Sequence, residues 1–141
     1  MQLYQYDFAE IEGDDCNPEG LFEYKYFDCY WEEGNRHPFL IRYKNEIAGF
    51  ALVNDFSELN ETNIHSMAEF FILRNYRKQG IGLLASIEIM KKISGKWEIS
   101  QTYKNHVAQA FWLKVVQNLA EDNFRKTDLP EKEKVVLSIE I

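Results

Sequence analysis

The chain has 141 residues, a net charge of −7 and a composition that is 45% hydrophobic and 15% aromatic; that length predicts one domain over residues 1–141 with its own core, and the acidic balance argues against nucleic acid as a main partner. No apolar run approaches a membrane span, and the start "MQLYQYDFAE" lacks the basic-then-apolar layout of an export signal. Two cysteines, Cys16 and Cys29, are too few for a disulfide framework, so the expectation is a cytoplasmic protein that meets no membrane.

In chain order, Leu3, Tyr4, Phe8 and Ile11 fall at helical spacing and predict a helix over 2–12. "GDDCNPEG" (13–20) is dense in turn formers and reads as a loop. "LFEYKYFDCYW" (21–31) fits a short helix through Leu21, Tyr24, Phe27 and Trp31; its aromatics also suit an extended segment, and we assign the helix. "HPFLIRY" (37–43) and "EIAGFALVND" (46–55) are strands around Lys44-Asn45, a pair suited to a tight hairpin because Asn tolerates positive φ. "IHSMAEFFIL" (64–73) is mostly apolar and therefore a central strand. A helix follows from Gly80 to Ile93, with Lys91 and Lys92 in its last turn and Gly95 beyond it. "KWEIS" (96–100) is a strand, and residues 106–119 form a helix with Ala108, Phe111, Val115 and Leu119 on one face. "NFRKT" (123–127) is a short strand and "KVVLSIEI" (134–141) a longer one. The fold class is α/β in the broad α+β sense, a mixed and mostly antiparallel sheet with helices on both faces.

Between the central strand and its helix stands "NYRKQGIGLLA" (75–85). Gly80, Gly82 and Ala85 formally match a dinucleotide fingerprint, but that motif needs its first glycine directly after the strand, and here "RNYRKQ" intervenes. No Lys-Ser or Lys-Thr follows Gly82, so a triphosphate P-loop is excluded as well. What remains is Arg77-x-x-Gly80-x-Gly82 at a helix start. The first turn of a helix carries unpaired N–H groups and partial positive charge, which suits a phosphate. Glycines at 80 and 82 would let it approach, with Arg77 and Lys78 adding charge at the rim. The plainer alternative is a helix start with two conformational glycines and solvated cations.

At these residues the sequence resembles the GNAT superfamily of acetyl-coenzyme A-dependent N-acetyltransferases. "AEFFILRNYRKQGIGLL" is similar to its Arg/Gln-x-x-Gly-x-Gly/Ala segment, and "NHVAQAFWLKV" resembles the Asn-x-x-Ala-x-x-Phe-(aromatic) pattern of its fourth helix. The likeness covers roughly 37–141, and "RHPFLIRYKNEIAGFALV" is similar to bacterial members of undefined substrate. The resemblance implies a GNAT fold with acetyl-coenzyme A as cosubstrate, bound in a cleft where the family's strands four and five, here 64–73 and 96–100, splay apart. Backbone groups of Phe71, Ile72 and Leu73 would pair with the pantetheine arm, and amides of Arg77, Lys78, Gln79, Gly80, Ile81 and Gly82 would hold the pyrophosphate. Asn105 would lie beside the arm, although it is equally suited to cap the helix that begins at His106. Members usually begin with a strand before the first helix; this chain starts in the helix, so that strand is missing or is formed by the first ten residues.

The position four residues after Ala108 is Trp112, where the family commonly carries the tyrosine that protonates the leaving thiolate. An indole N–H is a donor but no usable acid near neutral pH, which leaves water, another tyrosine or no acid. Tyr103, after the strand 96–100, is the candidate substitute. Direct transfer needs a neutral amine and hence a base, and Glu69, on the central strand where the family often carries such a glutamate, is the candidate; its plainer role is a solvated or lysine-paired strand residue. His37, His65 and His106 have no metal-ligand spacing with one another or with the cysteines, so no metal is expected. Tyr24, Tyr26, Tyr30 and Trp31, with Glu23, Asp28, Glu32 and Glu33, are candidates to line an amine pocket through cation–π and charge contacts. The expected partner is a small-molecule or peptide amine, and the fold allows a homodimer. The alternative function is a non-catalytic acyl-coenzyme A sensor or partner module.

Overall fold

Lys44 and Asn45 do close a tight hairpin. In the computed structural model, which describes all 141 residues, both sit at positive φ (48° and 69°) between β1 (His37–Tyr43) and β2 (Glu46–Asn54), as a type I′ turn requires. Ahead of them lie α1 (Gln2–Glu12) and the single turn α2 (Cys29–Glu32). Behind them follow β3 (Ile64–Ile72), a 3₁₀ turn (Arg74–Tyr76), α3 (Ile81–Lys92), β4 (Lys96–Thr102), α4 (His106–Ala120), β5 (Arg125–Leu129) and β6 (Lys134–Glu140). The sheet has the order β1-β2-β3-β4-β6-β5, and β3–β4 is its parallel pair.

Helices cover both faces. On one, α3 and α4 supply Ile89, Met90, Val115 and Val116 to a core completed by Ala51, Val53, Trp97, Ile99 and Leu137 of the sheet. On the other lie α1 and the chain after it. No α1 residue is fully buried and no side chain caps it. Its hold on the fold is largely polar: Gln2 exchanges two hydrogen bonds with the backbone of Phe22 (2.7 and 2.8 Å), and Glu12 accepts one from Thr102 (2.9 Å).

Residues 21–31 correct the sequence reading, since only Cys29–Glu32 is helical. Tyr26 takes φ 65°, a left-handed conformation that ends any helix begun before it, and the backbone of Phe22 is already committed to Gln2. No helix is long and apolar enough to cross a membrane.

Candidate active site

The site begins with one extra residue. Leu52 pairs with Glu69 but Val53 pairs with Met67, so Ala68 is a bulge in β3. A one-residue slip moves every later side chain to the opposite face. Met67 packs in the α3/α4 core; regular alternation would send Glu69 there too. Instead Phe70 and Ile72 face that core, while Glu69 and Phe71 meet Tyr4 of α1. The bulge also marks where the sheet parts. β3 and β4 pair only from Ile64–Ser66 to Lys96–Glu98; beyond it β3 stays with β2 and β4 with β6. A cleft therefore opens between residues 67–72 and 99–102.

Within the cleft wall, Leu73 N–H donates to Ala48 O (2.8 Å), committing that residue's backbone to β2. Antiparallel alternation turns Phe71 the same way and leaves Ile72 facing the opening, where its carbonyl accepts from Arg77 Nε (2.7 Å).

The Glu69 carboxylate is gripped from two separate stretches of chain. Tyr4 O–H donates to Oε2 and Tyr24 O–H to Oε1 (2.7 Å). Burial pushes the Glu69 pKa up; the two phenols and the charge of Lys134 pull it down, and burial prevails, so it stays above the ordinary carboxylate value. Both phenols are raised well beyond the usual tyrosine value, first by burial and then by Glu69 itself. They remain protonated donors at any physiological pH. Tyr30, 3% exposed, stands next to Tyr24 and accepts from Asn54 Nδ2 (3.2 Å).

Past the cleft, the chain makes a cradle. Arg77 N–H closes the 3₁₀ turn onto Arg74 O (3.2 Å), but no amide from Lys78 to Leu83 donates to any group of the chain. Lys78 and Gly80 both have positive φ (59° and 79°), and a Cβ at Gly80 would meet nothing within 4 Å. Free amides in alternating conformations at a helix start make an anion-binding nest. Gly82 serves another purpose: a Cβ there would stand 3.3 Å from Ile72 Cγ1 and 3.5 Å from Phe111 Cε2. Gln79 ties its side chain to Asn75 O (2.8 Å), and Ile81 is buried beneath the turn.

Arg77 does not hold its charge over this cradle. Its guanidinium reaches Asp7 of α1 (2.5 Å), which also binds Arg74 (2.5 Å), and stacks on the Phe71 ring. Burial would raise the Asp7 pKa, but the two arginines outweigh it and hold the group below the ordinary value. A carboxylate with a depressed folded pKa stabilises fully above its unfolded pKa, about 3.9, and loses that contribution as pH falls through the folded value. Asp7→Asn should therefore lower Tm by a few degrees at pH 7 and quicken amide exchange in α1. The gap to wild type should vanish on acidification below pH 3.9, and a gap constant with pH would contradict the assignment.

Asn105 caps α4, its Oδ1 accepting from Ala108 N–H (3.0 Å). Trp112, 6% exposed, packs edge-on against Phe70 and Phe111. Trp112→Phe should accordingly cost about 1–2 kcal/mol of stability, below the range for full truncation of a large aromatic, and leave turnover nearly intact. A collapse of turnover at unchanged stability would show that the indole acts in the reaction. Tyr103 follows β4 and lies against the β5–β6 hairpin: its amide donates to Glu133 O (2.8 Å), and its pKa is raised by desolvation and by Asp128, Glu131 and Glu133. None of its charged neighbours belongs to the cleft.

Of the aromatic candidates, Tyr24 and Tyr30 turn inward, whereas Tyr26 and Trp31 are exposed. Sequence reasoning did not identify Tyr4, Asp7 or Lys134 as site residues. Each meets its partner across more than 60 positions, and nothing local signals such pairings. No group of His, Cys, Asp and Glu side chains could hold a metal ion.

Comparison with known proteins agrees with this fold. The model of the acetyltransferase (GNAT) family matches residues 2–116. The fold is similar to an acetyltransferase from Thermus thermophilus (TM-score 0.70, 15% identity, covering 99% of this chain and 84% of that one). It is also similar to a GNAT family acetyltransferase from Elizabethkingia anophelis with acetyl-coenzyme A bound (TM-score 0.55, 19% identity, 84% of each chain). A third is the ribosomal-protein-S18-alanine N-acetyltransferase of Escherichia coli (TM-score 0.58, 14% identity, 100% of this chain and 92% of that one). No curated protein matches the chain.

Proposed function

The chain belongs to the acetyltransferase (GNAT) family, and from that premise we propose that it transfers an acetyl group from acetyl-coenzyme A to a primary amine of a small molecule or peptide, directly, in a ternary complex. The observation that carries the reading is the Ala68 bulge. It falls where β3 parts from β4, beside the run of free amides, and it turns a half-buried carboxylate to the other face of the same opening. Cosubstrate and acceptor can then meet edge to edge through the sheet.

The residues take up defined parts. Amides 78–83 suit the pyrophosphate, and the backbone of Phe71, Ile72 and Leu73 forms the wall along which the pantetheine arm would run, with Ile72 facing it. Asn105 holds the start of α4 at the cleft's rim. Glu69 takes the amine proton, directly or through a water, as the nitrogen bonds to the acetyl carbon and the thioester C–S bond breaks. A base works best when its pKa approaches the working pH, which is the direction in which burial moves Glu69.

No acid is required: with a thiol pKa near 8.5, thiolate is a tolerable leaving group. We place Tyr103 outside the chemistry because its neighbours lie on the hairpin, and Tyr103→Phe should keep the wild-type rate; a large loss would make it the acid. An amine acceptor also suits the N-terminal layer, where residues 1–36 carry ten carboxylates against two cations.

Calorimetry with acetyl-coenzyme A, followed by thiol release across polyamines, aminoglycosides, amino acids and peptide N-termini, tests the reading. Binding plus an amine-dependent rate is expected. Binding with only slow, amine-independent hydrolysis would favour the non-catalytic sensor that Trp112 makes conceivable, and absence of binding would end both readings.

A further inference from the structure

We propose that Tyr4 and Tyr24 are positioning residues for Glu69, fixing the base in its working orientation only while α1 and the segment after it are docked on the sheet. The proposal rests on Glu69 being the base. Its geometry is independent of any acceptor. The two phenols come from different pieces of chain and take one carboxylate oxygen each. Two donors on two oxygens fix rotation of the carboxylate, and each oxygen keeps a further lone pair for an incoming proton. Neither ring is free to swing. Tyr4 stacks on Phe8 and meets Phe50 and Phe71 edge-on, while Tyr24 packs against Phe27. Rotamers locked by packing are what a precise site requires.

Every charged or titratable group near Glu69 can be placed. Tyr4, with Glu12 beyond it, comes from α1, Tyr24 from the segment before α2, Tyr30 from α2 and Lys134 from β6. Lys134 is already paired with Glu58 (2.5 Å), which Lys132 also binds (2.9 Å). Its charge is therefore largely answered elsewhere, and the phenols are the chief groups that favour the ionised base. They also make the base dependent on the N-terminal layer, because both donors belong to it: Tyr4 to α1 and Tyr24 to the segment after it.

A merely structural role would have the tyrosines anchor α1 without affecting how Glu69 titrates. Protein labelled with ¹³C at the glutamate carboxyls separates the two, with the Glu69 signal assigned by its loss in Glu69→Gln. In Tyr24→Phe, and likewise in Tyr4→Phe, the Glu69 midpoint should move to higher pH than in wild type, because a donor to the ionised form has gone. With 3-fluorotyrosine at position 24, a stronger donor that preserves the packing, it should move to lower pH; the same replacement at position 4 serves if Tyr4→Phe does not fold. The acidic limb of kcat/KM, read with whichever panel amine releases thiol fastest, should follow the same order while acetyl-coenzyme A affinity stays constant. Coincident midpoints, or activity lost by one factor at every pH, would overturn the proposal. Full activity of Glu69→Gln would instead remove the base itself, whatever the midpoints do.

Discussion

Glu69→Gln should lower turnover by about 10²-fold or more, the ordinary scale of a lost general base, with acetyl-coenzyme A affinity unchanged. The two effects separate because Glu69 and the amide cradle lie on different sides of the cleft: Glu69 faces Tyr4 and Tyr24, whereas the cradle opens the first turn of α3. Glutamine has the same shape but no proton affinity, so the loss should appear in kcat. The substitution should also change how stability depends on pH. The Glu69 pKa is raised in the folded protein, so its contribution is fully present below the unfolded value, about 4.3, and is lost as pH rises through the folded value. Wild type should therefore weaken relative to the variant across that window, as measured by chemical denaturation. Retention of full activity by Glu69→Gln with the best amine at every pH would defeat the assignment.

How much of this was legible depends on whether the deciding contact is local. The β1–β2 turn was readable because Lys44-Asn45 states its own φ preference, and α3 and α4 because their apolar residues repeat at helical spacing. The run of free amides ahead of α3 was readable because a helix start with glycines is a short-range feature. The 21–31 segment misled for the converse reason. Leu21, Tyr24 and Phe27 fall at helical intervals, yet Tyr24 is spaced by its reach to Glu69 and the backbone by its bonds to Gln2. The Ala68 bulge carries no sequence mark at all: "SMAEFF" reads as an uninterrupted strand, and the phase change that aims Glu69 shows only against β2. Arg77 illustrates a subtler limit. Its place in the motif was plain, but the charge that seemed free for a phosphate is matched by Asp7, seventy residues earlier.

Gly82→Val should abolish detectable acetyl-coenzyme A binding and, unlike a change that only blocks the cradle, destabilise the fold. On sequence alone the glycine looks like a concession to an approaching phosphate. In the fold its missing side chain points at Ile72 and Phe111. A first carbon there is already tight, and the two methyls of valine add bulk where Phe111 stacks on Phe70 and Ile72 lines the cleft. Overpacking of this kind costs about 1–3 kcal/mol, more than the few tenths valine regains over glycine in helix propensity. Relief would come from shifting the start of α3, which carries the free amides, or from pressing Ile72 into the opening; either impairs binding. Gly80→Ala is the counterpart. Its methyl meets no protein atom, so its cost is the left-handed backbone at φ 79°, about 1–2 kcal/mol, together with whatever the methyl denies the ligand. Calorimetry and thermal melts on both variants distinguish the two glycines. Wild-type binding by Gly82→Val would mean that the first turn of α3 does not hold the cosubstrate, and wild-type stability would mean that Phe111 and Ile72 yield more easily than their packing implies.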